Sequence, residues 1–326
     1  MDAREAIAQL QAGMETSIVG QRELIRQMII GLLGNGHLLL ESLPGLAKTR
    51  AVKSMAKHLD TQMRRIQFTP DLLPSDITGT EVLHQQGGQN IFQFQPGPIF
   101  GNVILADEIN RAPAKVQSAL LEAMEERQIT VAGTTHAMPD LFIVMATQNP
   151  IEQEGTYPLP EAQLDRFLMK VLVDYPDKES EISVLDLVRS EEVPAGVGGP
   201  SAPVVKIAPE HVFEARKQIH AIHVAPAIKQ YVIGIIDATR HPAAYDKDLA
   251  TLIQIGSSPR GGIALDRTAR VNAWLEGRDH VTPDDVRATA HAVLRHRLIL
   301  SYDAGAEGIE ADTVIDTILE RVAVPA

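Results

Sequence analysis

Short apolar runs, separated by segments with helical spacing, constrain the fold of this chain more than any other feature. The strongest runs lie at 37–40, 103–106, 141–146 and 168–173, with a weaker one at 66–68. Their apolar residues are continuous rather than alternating, which is typical of strands buried on both faces. Helical segments lie between the runs, notably 113–127. Strands that alternate with helices predict right-handed crossovers, and therefore a parallel sheet with helices on both faces.

The length of the chain and the distribution of Gly and Pro predict two domains. The chain has 326 residues, and a domain usually has roughly 100–200. Residues 191–205, EEVPAGVGGPSAPVV, are rich in Gly and Pro and have no apolar period, so we interpret them as a linker. Residues 1–190 are then an α/β domain, and residues 206–326 are an all-helical domain, in which Thr282-Pro283-Asp284-Asp285 is a strong helix start.

Two segments interrupt the alternation of strands and helices. Residues 79–99 contain Gly87-Gly88, which can form a turn, and Ile91, Phe92 and Phe94 can follow in a strand. Residues 128–140 contain Ala132-Gly133 between two short stretches of strand-forming residues. Each segment therefore predicts a β-hairpin within the α/β domain.

Charge and composition limit the classes of partner. The chain has 30 basic and 42 acidic residues, so its formal net charge is 30 − 42 = −12, and it has no cysteine. An acidic chain without a basic cluster is disfavoured as a nucleic-acid binder, and the lack of cysteine excludes thiolate catalysis and disulfides. No apolar stretch approaches the roughly 20 residues of a membrane helix, and the start, MDAREAIAQL, lacks the apolar core of a signal peptide. We expect a soluble cytoplasmic protein that does not insert into membranes.

The stretch SLPGLAKT, residues 42–49, is close to the phosphate-binding pattern G-x-x-x-x-G-K-[S/T], with Ser42 and Ala47 at the two glycine positions. It follows an apolar run and precedes a helical segment, so main-chain N–H groups at the helix start can point at phosphate oxygens. Lys48 would reach the β- and γ-phosphates, and the Thr49 hydroxyl would bind Mg²⁺. Ser42 fits this site if the main chain is extended there and the side chain points away from the phosphates.

Two adjacent acidic residues end the second strong run, in VILADEIN, residues 103–110. A strand that runs into Asp107 and Glu108 is typical of a site in which one carboxylate holds the Mg²⁺ shell and the other polarises an attacking water. The alternative is an acidic pair that caps the start of the next helix. The sequence by itself leaves both interpretations open.

Three further polar groups follow in the order that a nucleotide site would need. Asn149 comes after the third strong run, where ligands bind parallel sheets, although it can also simply begin a turn before Pro150. Arg166 lies in Leu-Asp-Arg-Phe before the last run, where it can also pair with a nearby carboxylate. Arg260 lies in the first turn of a helix that Ser258 begins, and a phosphate partner would explain a cation at that positive dipole end.

Together these groups resemble the AAA+ ATPases, and specifically the MoxR group, over about residues 15–300. The residues at 69–79, 94–100, 106–127 and 146–167 are similar to MoxR sequences outside the ATPase motifs as well. Ala47 is usual in MoxR-like loops, whereas Ser42 departs from the usual glycine. The resemblance implies an AAA+ α/β core with a C-terminal all-helical lid, and a Mg²⁺-dependent ATPase activity.

The resemblance also implies roles for individual residues. Lys48 and Thr49 match the Walker A motif, Asp107 and Glu108 match Walker B, and Asn149 matches sensor 1. Arg260 matches sensor 2, and Arg166 matches the arginine finger, while Val19 and Gly20 match the adenine-side element. Thr49, and Asp107 through water, would then hold Mg²⁺. The implied ATP-binding residues are Val19, Gly20, Pro44, Gly45, Leu46, Ala47, Lys48, Thr49 and Asp107.

The family implies a homo-oligomeric ring, commonly a hexamer, in which Arg166 acts on the ATP of a neighbouring subunit. It further implies chaperone-like remodelling, maturation or metal loading of a client enzyme, with a von Willebrand factor A-domain protein as partner. The two hairpins would face partners or the ring centre. The alternatives are a nucleotide-binding switch or scaffold with little hydrolysis, for which Ser42 is the motive, and a nucleic-acid motor. A magnesium-chelatase-like motor subunit is also compatible with the sequence.

Overall fold

A computed structural model describes residues 1–43, 46, 48–86, 89–150, 155–192 and 205–324. Within these ranges the chain packs as two compact units, neither of which is continuous in sequence. The first unit comprises residues 1–29, 39–158 and 172–212, and the second comprises residues 30–38, 159–171 and 213–326.

The helices, in chain order, are α1 Ala3–Ser17, α2 Arg22–Leu33, α3 Lys48–His58, α4 Pro74–Thr78, α5 Ala114–Glu126, α6 Glu161–Leu164, α7 Lys178–Glu192, α8 Pro209–His220, α9 Pro226–Arg240, α10 Lys247–Leu252, α11 Pro259–Leu275, α12 Pro283–Leu294, α13 Tyr302–Ala306 and α14 Ala311–Arg321. The strands are β1 Leu38–Ser42, β2 Met63–Gln67, β3 Gly79–Gln86, β4 Gln89–Pro96, β5 Val103–Asp107, β6 Gln128–Val131, β7 Thr134–Ala137, β8 Ile143–Gln148, β9 Met169–Val173, β10 Ile253–Ile255 and β11 Ile299–Leu300. No helix in the described ranges is long and apolar enough to cross a membrane.

Five strands form the central parallel sheet, in the order β2-β5-β8-β1-β9. All residues of β5 are buried, as its continuous apolar sequence predicts for a strand inside such a sheet. β2 lies at an edge, and most of its residues are exposed. Because exposed positions carry polar side chains without penalty, β2 has the weakest apolar signal of the five. The predicted parallel sheet is therefore confirmed.

Both predicted hairpins are present in the first unit. β3 pairs antiparallel with β4, although the turn residues Gly87-Gly88 lie outside the described ranges. β6 pairs antiparallel with β7, and Ala132 and Gly133 have φ values of 48° and 84°, as a two-residue hairpin turn requires. Phe94 of the first hairpin stacks on His136 of the second, with 3.8 Å between the ring centroids. The two hairpins thus contact each other through an aromatic pair.

The C-terminal part of the chain is mainly helical, and α12 begins after Thr282 as predicted. A short antiparallel ribbon, β10 with β11, is a difference from the all-helical expectation. β10 directly follows α10, so the sequence pattern there resembles the end of the helix and does not indicate the three strand residues. α7 continues to Glu192, so the first two residues of the predicted linker at 191–205 are helical, and 193–204 lie outside the described ranges.

Candidate functional site

Three adjacent strands of the sheet, β5, β8 and β1, position most of the predicted site residues. Asp107 is the last residue of β5 and Glu108 follows it, while Asn149 follows β8. Ala106 pairs with Ala146 in the parallel register, so the ends of β5 and β8 are level. Carboxyl ends of neighbouring parallel strands are the usual place for a ligand in an open α/β sheet.

The phosphate-binding loop connects β1 to α3. Ser42 is buried at the end of β1, and its Oγ donates a hydrogen bond to the Leu43 carbonyl oxygen at 3.0 Å. Lys48 begins α3 and its Nζ donates to the Ser42 carbonyl oxygen at 3.3 Å, while Thr49 lies in the first helical turn. The main chain at Ser42 is therefore extended, as the sequence argument requires for a serine there. Leu46 is half-buried, and Pro44, Gly45 and Ala47 lie outside the described residues.

The two acidic residues are joined by Thr147, the fifth residue of β8. The Thr147 hydroxyl donates to Asp107 Oδ1 at 2.6 Å and accepts the main-chain N–H of Glu108 at 2.9 Å. Glu108 has left-handed backbone angles, φ 58° and ψ 51°. This conformation is uncommon for a residue other than glycine, and such residues cluster at functional sites.

Cationic and amide side chains contact both carboxylates from outside β5. Arg65 of β2 donates to Asp107 Oδ2 from Nη2 at 2.5 Å and from Nε at 3.1 Å. Gln67 Nε2 donates to Glu108 Oε2 at 2.9 Å, and Arg111 Nε lies 3.2 Å from the same oxygen. Asp107 and Glu108 are therefore bonded groups of a polar network, rather than helix caps.

Sequence reasoning missed four members of this network: Arg65, Gln67, Arg111 and Thr147. Arg65 and Gln67 are two residues apart in β2, so they share a face of the sheet. Their place beside the acidic residues follows from the pairing of Gln67 with Asp107 in the β2–β5 register. The sequence does not reveal this register, because Ile66-Gln67-Phe68 indicates only a short strand and not which strand it pairs with.

Val19 and Gly20 lie between α1 and α2, at a cleft of about 500 Å³ in the first unit. Gly20 has φ 76°, and a Cβ there would lie 2.5 Å from the Ser180 Cβ, so only glycine fits between the two chain segments. Gln21 Nε2 closes the same region by donating to the Asp174 carbonyl oxygen at 2.8 Å. The residues that line the cleft are Glu15, Ile18, Val19, Gly20, Arg22, Glu23, Asp177 and Ser180.

Arg166 and Arg260 belong to the second unit, where Asp165 connects their two segments. Asp165 Oδ2 accepts from the Ser258 hydroxyl at 2.7 Å and lies 3.8 Å from Arg260 Nη1. Asp165 Oδ1 accepts from Arg297 Nε at 2.9 Å. A carboxylate of the same unit thus lies beside Arg260 at the start of α11, where the sequence argument looked for a phosphate.

Arg297 is the buried member of this cluster. Its side chain is 2% exposed, and it also donates to the carbonyl oxygens of Phe167 and Leu168. Burial lowers the pKa of Arg297 to about 10, although Asp165 opposes the shift, so the guanidinium stays charged near neutral pH. The charge fixes the segment that carries Arg166 against α12 within the second unit.

In the first unit, Asp107, Glu108 and Asn149 lie at the carboxyl ends of β5 and β8. Lys48 and Thr49 begin the helix that follows β1 on the same side of the sheet. A lysine, a helix N-terminus and oxygen ligands are what phosphates and hard divalent cations require. In the second unit, Arg260 Nη1 lies 3.8 Å from the carboxylate of Asp165, the residue that precedes Arg166 in the sequence. The first group consists of residue types that are suited to cations and phosphates, and the two arginines of the second unit carry positive charge.

Comparison with known proteins gives matches over both parts of the chain. Residues 37–169 match the model of the ATPase family associated with various cellular activities (AAA), and residues 246–318 match the AAA lid domain. "Chaperone MoxR1" of Mycobacterium tuberculosis is 45% identical over 309 residues, which are 94% of this chain and 79% of that protein. "Protein MoxR" of Methylorubrum extorquens is 33% identical over 345 residues, with 99% and 96% coverage.

A solved structure agrees with these matches. A protein of Cytophaga hutchinsonii, known from its crystal structure, superposes with a TM-score of 0.90 at 44% identity, over 99% of this chain and 96% of that one. The α/β fold with a parallel sheet and an AAA lid is therefore shown, and so is the family of the chain. The protein belongs to the MoxR-type AAA+ ATPases.

Proposed function

We propose that this ATPase uses Mg²⁺-dependent hydrolysis of ATP to remodel a partner protein, and that its subunits work in a ring. The observation that carries the proposal is the pair Asp107 and Glu108, which Thr147 holds at the sheet edge where β1 leads into Lys48. Hydrolysis of a phosphoanhydride needs charge neutralisation and an oriented water, and these residue types supply both.

The donor set fits Mg²⁺. Asp107 offers a carboxylate and Thr49 a hydroxyl, the hard oxygen ligands that this ion takes in part through water. Asp107 Oδ2 already forms an ion pair with the Arg65 guanidinium, so the surroundings of this oxygen are compatible with a positively charged ligand. In the proposal Thr49 and, through water, Asp107 hold the ion, and Mg²⁺ supplies neutralisation of the phosphate charge when it is bound.

The remaining residues of the first unit bind and orient the substrate. Lys48 contacts the β- and γ-phosphates, and main-chain groups of Pro44, Gly45, Leu46 and Ala47 surround them. Val19 and Gly20 bind the adenine side. Glu108 accepts a hydrogen bond from the attacking water and draws off its proton, while Asn149 orients that water or contacts the γ-phosphate.

The two arginines of the second unit stabilise negative charge on the transferred phosphoryl group. Arg166 serves the ATP of a neighbouring subunit, as arginine fingers do, and Arg260 is the second cation. Heterologous contacts that close by rotation give the ring, for which we propose six subunits. The name of the mycobacterial relative supports a chaperone-like role.

For the partners, we propose a client enzyme, matured or loaded with its metal, and a von Willebrand factor A-domain protein. The two hairpins of the first unit are the candidate contact surface, because Phe92 and Leu83 pair across β3 and β4 and are 67% and 51% exposed. We place this activity in the cytoplasm.

Glu108→Gln tests the mechanism. The amide keeps the size of the side chain but does not take up a proton, so ATP turnover falls by at least about a hundredfold while nucleotide binding persists. Glu122→Gln, an exposed position of α5, is the matched control and keeps wild-type turnover.

Steady-state phosphate release with Mg²⁺ and binding of a fluorescent ATP analogue are the two measurements. Unchanged turnover in Glu108→Gln would remove Glu108 from the mechanism. Wild-type protein that binds ATP tightly without turnover at every protein concentration would favour the switch or scaffold function instead.

A further inference from the structure

The ion pair between Arg65 and Asp107 has no place in the hydrolytic scheme above. Arg65 directs two N–H groups at one carboxylate oxygen, Asp107 Oδ2, at 2.5 and 3.1 Å, and Thr147 takes the other oxygen. Charge-assisted hydrogen bonds are among the stronger hydrogen bonds in proteins. The carboxylate proposed for the metal shell therefore has both of its oxygens bonded.

We propose that Arg65 competes with Mg²⁺ for Asp107 and must release this carboxylate when the metal and nucleotide bind. The inference rests on the proposed role of Asp107 and adds Arg65 as a residue that controls access of the metal to this carboxylate. In the proposal, the Arg65 guanidinium and the water shell of Mg²⁺ both bind Asp107 Oδ2. Two cations at one carboxylate repel each other.

The positions of the two side chains allow the exchange. The Arg65 side chain is 50% exposed and the Asp107 side chain only 12% exposed, so the arginine can turn into solvent while the aspartate stays in place. If Mg²⁺ arrives as Arg65 leaves, Asp107 keeps a cation, which avoids the cost of an uncompensated, largely buried charge. β2 is an edge strand, so the released guanidinium does not need a new partner in the sheet.

The exchange also reaches Glu108. Arg65 Nη2 donates to Gln67 Oε1 at 2.7 Å, and Gln67 Nε2 donates to Glu108 Oε2 at 2.9 Å. Loss of Arg65 from Asp107 removes the group that orients the Gln67 amide.

Arg64 provides a matched control on the same strand. It is the neighbour of Arg65, it is exposed, and it pairs with Ile104 on the opposite face of the sheet from Asp107. Arg64→Gln and Arg65→Gln remove the same charge from adjacent positions. Any difference between the two variants reports the contact with Asp107 rather than net charge.

The experiment measures the Mg²⁺ concentration at half-maximal binding of fluorescent ADP, starting from protein in chelator. We expect Arg65→Gln to lower this midpoint by about tenfold, and Arg64→Gln to leave it within about twofold of wild type. Arg65→Lys keeps a positive charge but loses the planar guanidinium with its several N–H donors. Its Mg²⁺ midpoint therefore lies between those of wild type and Arg65→Gln. If Arg65→Gln does not fold, a lowered midpoint in Arg65→Lys still supports the proposal, and an unchanged or raised one overturns it.

A measurement without nucleotide provides the second readout. Arg65→Gln leaves Asp107 without its cation, so its melting temperature falls in chelator and recovers with Mg²⁺ more than that of wild type or Arg64→Gln. An unchanged or raised Mg²⁺ midpoint in Arg65→Gln overturns the competition alone. If nucleotide binding by the wild-type protein does not depend on Mg²⁺, both the proposed metal site and the competition with Arg65 are overturned.

Discussion

Thr147 is the residue on which the geometry of the acidic pair depends. Its hydroxyl donates to Asp107 Oδ1 at 2.6 Å and accepts from the Glu108 N–H at 2.9 Å. Thr147→Val has nearly the same shape but loses both bonds, and a hydrogen bond to a charged group contributes about 1.5–3 kcal/mol. We expect ATP turnover to fall by about 10–100-fold in Thr147→Val, as measured by steady-state phosphate release.

Thr147→Ser separates the hydroxyl from the methyl group. Serine keeps the oxygen that joins Asp107 to Glu108, so it retains most of the wild-type turnover, with only a packing loss at a fully buried site. Equal turnover in the valine variant and the wild type would show that Thr147 does not position the acidic pair.

His296 makes the stability of the second unit depend on pH. Burial, and then the charge of Arg297, hold the pKa of His296 well below its usual value. Its Nε2 lies 3.1 Å from the Phe167 carbonyl oxygen and donates to it, while Nδ1 finds no hydrogen-bond partner in the part of the chain that the structure describes. The imidazole is therefore neutral in the folded protein.

The sign of the pH effect follows from this depressed pKa. Below about pH 6.5 the unfolded chain takes up a proton at His296 that the folded protein does not, so stability is lost as pH falls, by up to about 1.4 kcal/mol per pH unit. Denaturant unfolding at about pH 7.5 and about pH 5.5 measures this loss. It is smaller in His296→Gln and unchanged in His220→Gln, an exposed position in α8. Equal losses in wild type and His296→Gln would exclude this histidine as the cause.

Residues with unusual local sequence could be predicted, and residues defined by strand pairing could not. Two adjacent carboxylates after a buried run are costly unless they have partners, so Asp107 and Glu108 stand out. Thr147 and Arg65 are ordinary residues of their strands, and their importance appears only when the register places them beside Asp107. Arg297 was missed for the same reason, because its partner Asp165 is distant in sequence.

At the scale of elements, the start of α12 is a self-contained source of stability for the second unit. Although burial opposes its ionisation, hydrogen bonds from Arg278, Thr282 and Asn272 hold the pKa of Asp285 below its usual value. Its side chain is 1% exposed and accepts from both Arg278 Nη atoms at 2.6 Å and from the Thr282 N–H at 2.7 Å. The carboxylate therefore joins the cap of α12 to the end of α11.

Asp285→Asn tests this junction. The amide leaves Arg278, whose side chain is 30% exposed, without its counter-charge, and the loss of charge-assisted hydrogen bonds costs about 1.5–3 kcal/mol. Chemical denaturation followed by circular dichroism measures the loss. Asp284→Asn, at a side chain that is 88% exposed, is the control and costs under about 1 kcal/mol. A loss of the same small size at both positions would contradict the junction.

Elements were predictable where one kind of signal was strong along the whole element. The strands β5 and β8 have continuous apolar residues because both of their faces are buried. β10 was missed because three residues directly after a helix carry too little periodicity to separate them from it. Its pairing with β11 depends on residues more than forty positions away, which no local pattern contains.

At the scale of the whole molecule, compact units need not be continuous in sequence. The predicted boundaries, 1–190 and 206–326, remain a prediction about domains. By contacts, however, residues 159–171, with Arg166, group with the C-terminal part of the chain. The cause is a set of long-range bonds, such as those of Arg297 and His296 to the 165–168 segment, which sequence spacing does not contain.

The proposed ring is testable by mixing two variants, because Arg166 and Glu108 of one ATP site would come from different subunits. Arg166→Ala and Glu108→Gln are each expected to be nearly inactive alone. In a mixed ring, an Arg166→Ala subunit has an intact Glu108, and a Glu108→Gln neighbour supplies an intact Arg166. An equal mixture therefore regains about one quarter of wild-type turnover, because about one quarter of the interfaces combine the two intact halves.

Dilution provides the control for this result. The regained turnover per subunit falls steeply when the mixture is diluted, as it does for wild-type protein, because both depend on assembly. The double variant Arg166→Ala/Glu108→Gln, mixed with either single variant, stays inactive, since no interface then has both residues intact. A mixture of the single variants that associates but stays as inactive as its components would place Arg166 outside the neighbouring site and remove the shared-site mechanism.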